Sequence, residues 1–191
     1  MERSDYNSGL NKVWWVPLLT GLIFIAFGVW FFCGEGYTQD VEAYIFAGAI
    51  GFVGLCNVFY GILNFNTNQG YGWALAGGVA EILLSVFVFC IPTHLLVDVF
   101  IYGSALYIIL MTVYSFFDGV VVMSSGKGMV AIFSVLLIAA FGFACVVLFG
   151  MGGTDIDYRT WILLSFACYG AYRVLFAFRL RALNEEYRRL K

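Results

Sequence analysis

Few side chains in this sequence can do chemistry, and those that can stand in unusual places. Glu81 lies inside WALAGGVAEILLSVFVFCIP, residues 73–92, a run long and apolar enough to cross a bilayer. Arg173 lies inside another apolar run near the far end of the chain. A charge at the centre of a membrane helix costs roughly 2.5–3.5 kcal/mol on insertion scales, so such residues pair or face a cavity. The direct reading is an acid meeting a base. That contact either pins helix register or belongs to a solute or proton path. The alternatives leave the two apart, with Arg173 reaching the headgroups along its own stem and Glu81 protonated against a carbonyl. Asn57 is the third member of this candidate polar cluster.

A second candidate is His94, followed one helical turn on by Asp98 in the link PTHLLVD. Histidine changes charge near neutral pH, so the pair reads either as a pH-responsive loop or as solvated loop charge. The five cysteines, Cys33, Cys56, Cys90, Cys145 and Cys168, sit within or at the ends of apolar runs and form no CxxC. They read as small apolar residues, with a Cys33–Cys90 disulfide as the alternative. With one histidine in the chain there is no metal-ligand spacing. No HExxH, GxSxG or glycine-rich phosphate loop occurs, and Ser124–Gly128 matches the end of a phosphate loop only superficially. Neither a catalytic set, a metal nor a cofactor is expected, and the chain reads as non-enzymatic.

The elements that must hold these residues follow from composition. Of 191 residues, 62% are hydrophobic and 12% charged, with mean hydropathy +0.91. Soluble domains are about half apolar and a quarter charged, so the lipid bilayer is the solvent. The net charge of −2 gives no reason to expect a nucleic-acid partner. Six apolar runs divide the chain, with spans expected at 14–33, 41–63, 73–91, 95–117, 129–149 and 158–178. Residues 1–13 and 179–191 flank them. The fold class is all-α: a polytopic membrane protein.

An even number of spans puts both termini on one side, and the bases choose it. With the N-terminus inside, Arg3, Lys12, Lys127, Arg179, Arg181, Arg188, Arg189 and Lys191 are cytoplasmic. The opposite links carry Glu35, Asp40, Asp98, Asp155 and Asp157, with Glu42 beside them, and Arg159 is their only base. Depth then matches the cluster residues. Glu81 is about 12 Å in from Trp73 at 1.5 Å per residue, and Arg173 about 8–12 Å from the same face.

Small residues recur seven apart, which is two helical turns and therefore one stripe. Gly21 and Gly28 in the first span correspond to Gly78 and Ser85 in the third. Gly54-x-x-Asn57 followed by Gly61 corresponds to Gly170-x-x-Arg173 followed by Ala177, which puts Asn57 in the place of Arg173. Such stripes let helix backbones approach closely in lipid. The six spans read as three repeated antiparallel hairpins.

Trp15/Gly21/Gly28, Trp73/Gly78/Ser85/Pro92 and the return-helix glycines Gly54, Gly61 and Gly170 carry a resemblance over residues 12–180. In that rhythm the chain resembles the HdeD family, small bacterial multi-pass proteins linked to acid resistance. The resemblance implies a six-helix bacterial inner-membrane protein with a role in acid or envelope stress tolerance. The alternative function is a small transporter or channel, open to homo-oligomer assembly, using Glu81, Arg173 and Asn57 as its polar site. The tail from Arg179 to Lys191 reads as a basic amphipathic helix continuing the sixth span, lying on anionic headgroups. Glu185 and Arg189 are spaced to pair within it.

Overall fold

The computed structural model describes residues 13–34, 38–64, 71–122, 127–150 and 158–189. The expected N-terminal segment through residue 12, and Glu35, Asp155 and Asp157, lie outside the described residues. All regular structure described is helical, in six elements: α1 (Trp15–Cys33), α2 (Gln39–Leu63), α3 (Tyr71–Cys90), α4 (Thr93–Val122), α5 (Lys127–Phe149) and α6 (Tyr158–Arg189). Five of them are long and apolar enough to cross a membrane, and the apolar portion of α3 described by itself, Ala74–Cys90, is shorter. In hydrocarbon no water is present to satisfy a peptide group, so each span must close its own hydrogen bonds. Pro17 sits in the first turn of α1, where its missing N–H leaves no intrahelical bond unmade.

One stretch departs from expectation. Residues 93–98, expected as a link, are the first turns of α4. Pro92 starts the helix instead of merely ending the previous one, since its carbonyl accepts the Leu95 N–H at 3.0 Å. The candidate loop holding His94 and Asp98 is therefore helical. At the other end α6 runs unbroken through Arg189, about 48 Å for its 32 residues.

Helix packing is set by glycine at two crossings. A Cβ on Gly54 would lie 2.8 Å from the Gly78 carbonyl oxygen, and one on Gly78 2.7 Å from that of Gly54. This α2–α3 crossing is repeated between α1 and α6. There a Cβ on Gly21 would lie 2.8 Å from the Gly170 oxygen, and one on Gly170 2.7 Å from the Gly21 oxygen. Backbones this close are available only to glycine, and the close approach supplies the dispersion contact that holds helices together in lipid. Both crossings are antiparallel by register, with Gly51 facing Ser85 and Gly28 facing Phe166. The tightest partners are thus α2 with α3 and α1 with α6. α5 lies against α4 and α6, while α3 meets α4 only slightly.

α2 and α6 do not pack backbone to backbone. Aromatic rings fill the space between them. Phe27 and Phe166 have ring centroids 5.2 Å apart, and Phe46 stands 5.6 Å from Phe27 and 5.3 Å from Phe100. These rings are buried and form the centre of the core. All five cysteines are free, so the alternative Cys33–Cys90 disulfide is absent: both thiols are exposed at helix ends.

Candidate functional site

The polar cluster is assembled from five helices. Thr20 on α1 turns its hydroxyl back onto the Pro17 carbonyl at 3.1 Å, which leaves its oxygen lone pairs facing inward. Arg173 on α6 donates to that oxygen through Nη2 at 2.8 Å and Nε at 3.2 Å. The same Nη2 donates to Asn57 Oδ1 on α2 at 2.9 Å. Asn57 Nδ2 in turn donates to Glu81 Oε2 on α3 at 2.7 Å. Tyr107 on α4 closes the chain, its hydroxyl donating to Glu81 Oε1 at 2.7 Å.

The structure therefore brings Glu81, Arg173 and Asn57 together but not as a direct acid–base pair. Asn57 stands between the two charges. An amide suits that place because it accepts on one side and donates on the other, so it passes hydrogen bonding from guanidinium to carboxylate. Among the described residues, ion pairs form only at Arg159–Glu42 and Arg181–Glu185. Glu81 is 2% exposed and Arg173 9%, and each hydrogen bond to a buried charge is worth more than a neutral one.

The glycine crossings position both charges. A Cβ on Gly54 would come within 2.9 Å of the Glu81 Cβ, and one on Gly21 within 2.9 Å of the Arg173 Cβ. Each charged side chain thus springs from a point where two helices touch. Larger residues there would push the acid and the base away from Asn57.

Beside the cluster is a cavity of about 20 Å³, lined by Asn57, Tyr60, Gly77, Tyr114 and Arg173 among others. Roughly 10–15 Å³ of such space holds one water. Glu81 does not line it. Tyr169 and Tyr172 lie close by, tied to α4 through Ser115: the Tyr172 hydroxyl donates to the Ser115 carbonyl at 3.0 Å, and the Ser115 and Tyr169 hydroxyls are 3.2 Å apart.

A second strap joins α2 to α6 beyond the aromatic rings. Arg159 Nη2 donates to Glu42 Oε1 at 2.8 Å, and Nη1 donates to the Gly34 carbonyl at 3.3 Å. The guanidinium carbon lies 5.2 Å from the centre of the Phe31 ring. Glu42 is 1% exposed, and its Oε2 has no hydrogen-bond partner among the described residues. By sequence the two residues fall on the same side of the bundle, with nothing in their spacing to pair them. The signal was there: Arg159 is the single base among links that otherwise carry acids, and such a base needs a local reason to stay.

His94 and Asp98 are exposed on the first turns of α4, and no hydrogen bond or ion pair joins them among the described residues. They form no site with the cluster. In the tail, Glu185 pairs with Arg181 at 3.1 Å and not with Arg189. Arg181 also covers the Trp14 ring at 5.1 Å, which fastens α6 to the start of α1. No group of three or more metal-ligating side chains occurs among the described residues. Chemically, the cluster can hold charge, orient a small polar species and hold or release a proton. No family model, no curated protein and no solved structure matches this chain.

Proposed function

We propose that this chain is a non-enzymatic, multi-pass protein of the bacterial inner membrane, with both termini cytoplasmic and three repeated helical hairpins. In this reading the Glu81–Asn57–Arg173 cluster is a clamp. It ties five helices at one depth, as the Arg159–Glu42 strap ties two at another. Partners are the lipid bilayer, anionic headgroups at the C-terminal tail and further copies of the chain. The resemblance to the HdeD family gives the physiological setting, tolerance of acid or envelope stress.

The observation that carries the reading is saturation. Both carboxylate oxygens of Glu81 are occupied by protein donors, and the adjoining cavity has room for little more than a water. The equivalence of the Gly21–Gly170 and Gly78–Gly54 crossings supports the repeat. The second reading, a small transporter or channel lined by Glu81, Arg173 and Asn57, has that same cavity in its favour and the packed aromatic core against it. Reconstitution into sealed vesicles tests the choice. The clamp reading expects no solute or ion flux above that of protein-free vesicles. Flux that disappears in Arg173→Gln, with the variant still folded, would overturn it in favour of transport.

A further inference from the structure

The guanidinium of Arg173 is incompletely used. Nε and Nη2 donate to Thr20 and Asn57, both neutral, and Nη1 has no hydrogen-bond partner among the described residues. The side chain lines the cavity, and no acidic residue is among the other lining groups. A buried cation that spends its bonds on neutral acceptors and lines a space with no acid in it is suited to receive an anion.

We propose that this cavity binds one small monovalent anion of halide size against Arg173, and that binding is accompanied by uptake of one proton on Glu81. Size sets the first half: the volume of about 20 Å³ admits a monatomic or water-sized species and excludes carboxylates or phosphates. Charge sets the second. Arg173 and Glu81 together are neutral, so an added anion would leave one net negative charge among apolar helices, at high cost. A proton on Glu81 restores neutrality. The groups facing Glu81 accommodate it: Tyr107 on α4 can accept from the protonated carboxyl across the same 2.7 Å contact, and Asn57 on α2 keeps its bond to the other oxygen. The remaining titratable groups within electrostatic reach are Cys56 on α2, Tyr114 on α4, and Tyr169 with Arg173 on α6. None of them is a second carboxylate.

Linkage makes this measurable. If one proton accompanies each anion, the apparent Kd rises about tenfold per pH unit wherever Glu81 is ionised in the anion-free protein. Thermal unfolding of the purified full chain is followed at constant ionic strength in sodium chloride, sodium bromide and sodium gluconate, the last too large for the cavity. Chloride and bromide should raise Tm over gluconate, more at pH 5 than at pH 8. Adding chloride to weakly buffered protein should consume one proton per site. Glu81→Gln should keep the halide effect and lose its pH dependence. Arg173→Gln made together with Glu81→Gln, so that no charge is stranded, removes the group that faces the anion and should lose the halide effect. Equal stability in all three salts at both pH values, or a halide effect that survives the Arg173→Gln/Glu81→Gln double change, would overturn the proposal and leave a water in the cavity.

Discussion

Moving the acid from α3 to α2 tests the clamp in one cycle. Asn57→Asp alone puts a second carboxylate beside Glu81, whose Oε2 is 2.7 Å from the substituted nitrogen. Glu81→Gln alone removes the only carboxylate hydrogen-bonded into the cluster, which leaves the Arg173 charge unbalanced. Each single change strands one net charge at a buried site, and breaking a buried charge pair in this way costs about 3–5 kcal/mol. The double variant restores neutrality and can satisfy every bond in place. The new carboxylate accepts from Arg173 where the amide oxygen did, at 2.9 Å, and accepts from the new amide nitrogen on α3. The Tyr107 hydroxyl still has an oxygen to donate to. The expected double-mutant loss is about 1 kcal/mol, against a sum of singles of about 6–10 kcal/mol, a coupling near 5 kcal/mol or more. For a chain of this length about 3 kcal/mol corresponds to a Tm drop of roughly 6–12 °C. Melting in gluconate buffer, free of halide, reads this directly. A double variant as unstable as the sum of the singles would refute the reasoning, because the two positions would not be sharing one charge balance.

The other expectations concern packing, the Arg159–Glu42 strap and orientation. Gly54→Ala and Gly21→Ala must push a pair of touching backbones apart and should cost about 1–3 kcal/mol each, whereas Gly103→Ala, with open space around its Cβ, should be neutral or stabilising by up to about 1 kcal/mol; equal effects in thermal melts would show that the crossings are not tight. Arg159→Gln strands a carboxylate that is 1% exposed and should destabilise by about 3 kcal/mol, with Glu42→Gln in addition recovering most of the loss; additive losses would show that the strap is not a unit. With the termini inside, the exposed thiols Cys33 and Cys90 should react with a membrane-impermeant maleimide in intact cells, and labelling only after lysis would invert the orientation.

Much of this architecture was legible because hydropathy is a strong signal in lipid. The apolar runs sit within two or three residues of the helix ends in most cases, and Pro92 and the short polar links mark where they stop. Glu81 and Arg173 stood out for the same reason, as charges with no business in hydrocarbon, and equal depth put them within reach of each other. Their neighbours were harder to see. Thr20 is an unremarkable polar residue in an apolar helix, and Tyr107 is one of 12 tyrosines. Neither carries a signal until the helices are placed side by side. The role of Asn57 as a bridge rather than a third ligand depends on a separation that spacing does not encode. Helix partners were also hidden. Chain order favours neighbours joined by short links, yet α1 takes α6 as its tightest companion, a choice made by two glycines at matching depth.

That choice has a consequence for biogenesis. Of the six helices, α1 leaves the ribosome first and its glycine-to-glycine companion last, with Thr20 and the arginine that binds it 153 positions apart. Throughout translation the first helix must therefore wait in lipid, or lean on provisional neighbours, with its threonine unclaimed. α2 and α3 can dock at once, and the acid on α3 meets its amide early. The newborn bundle so carries a buried carboxylate until α6 inserts and brings the neutralising guanidinium. Maturation of this bundle is a closure of α6 on α1, and any factor that holds those two helices apart would arrest it.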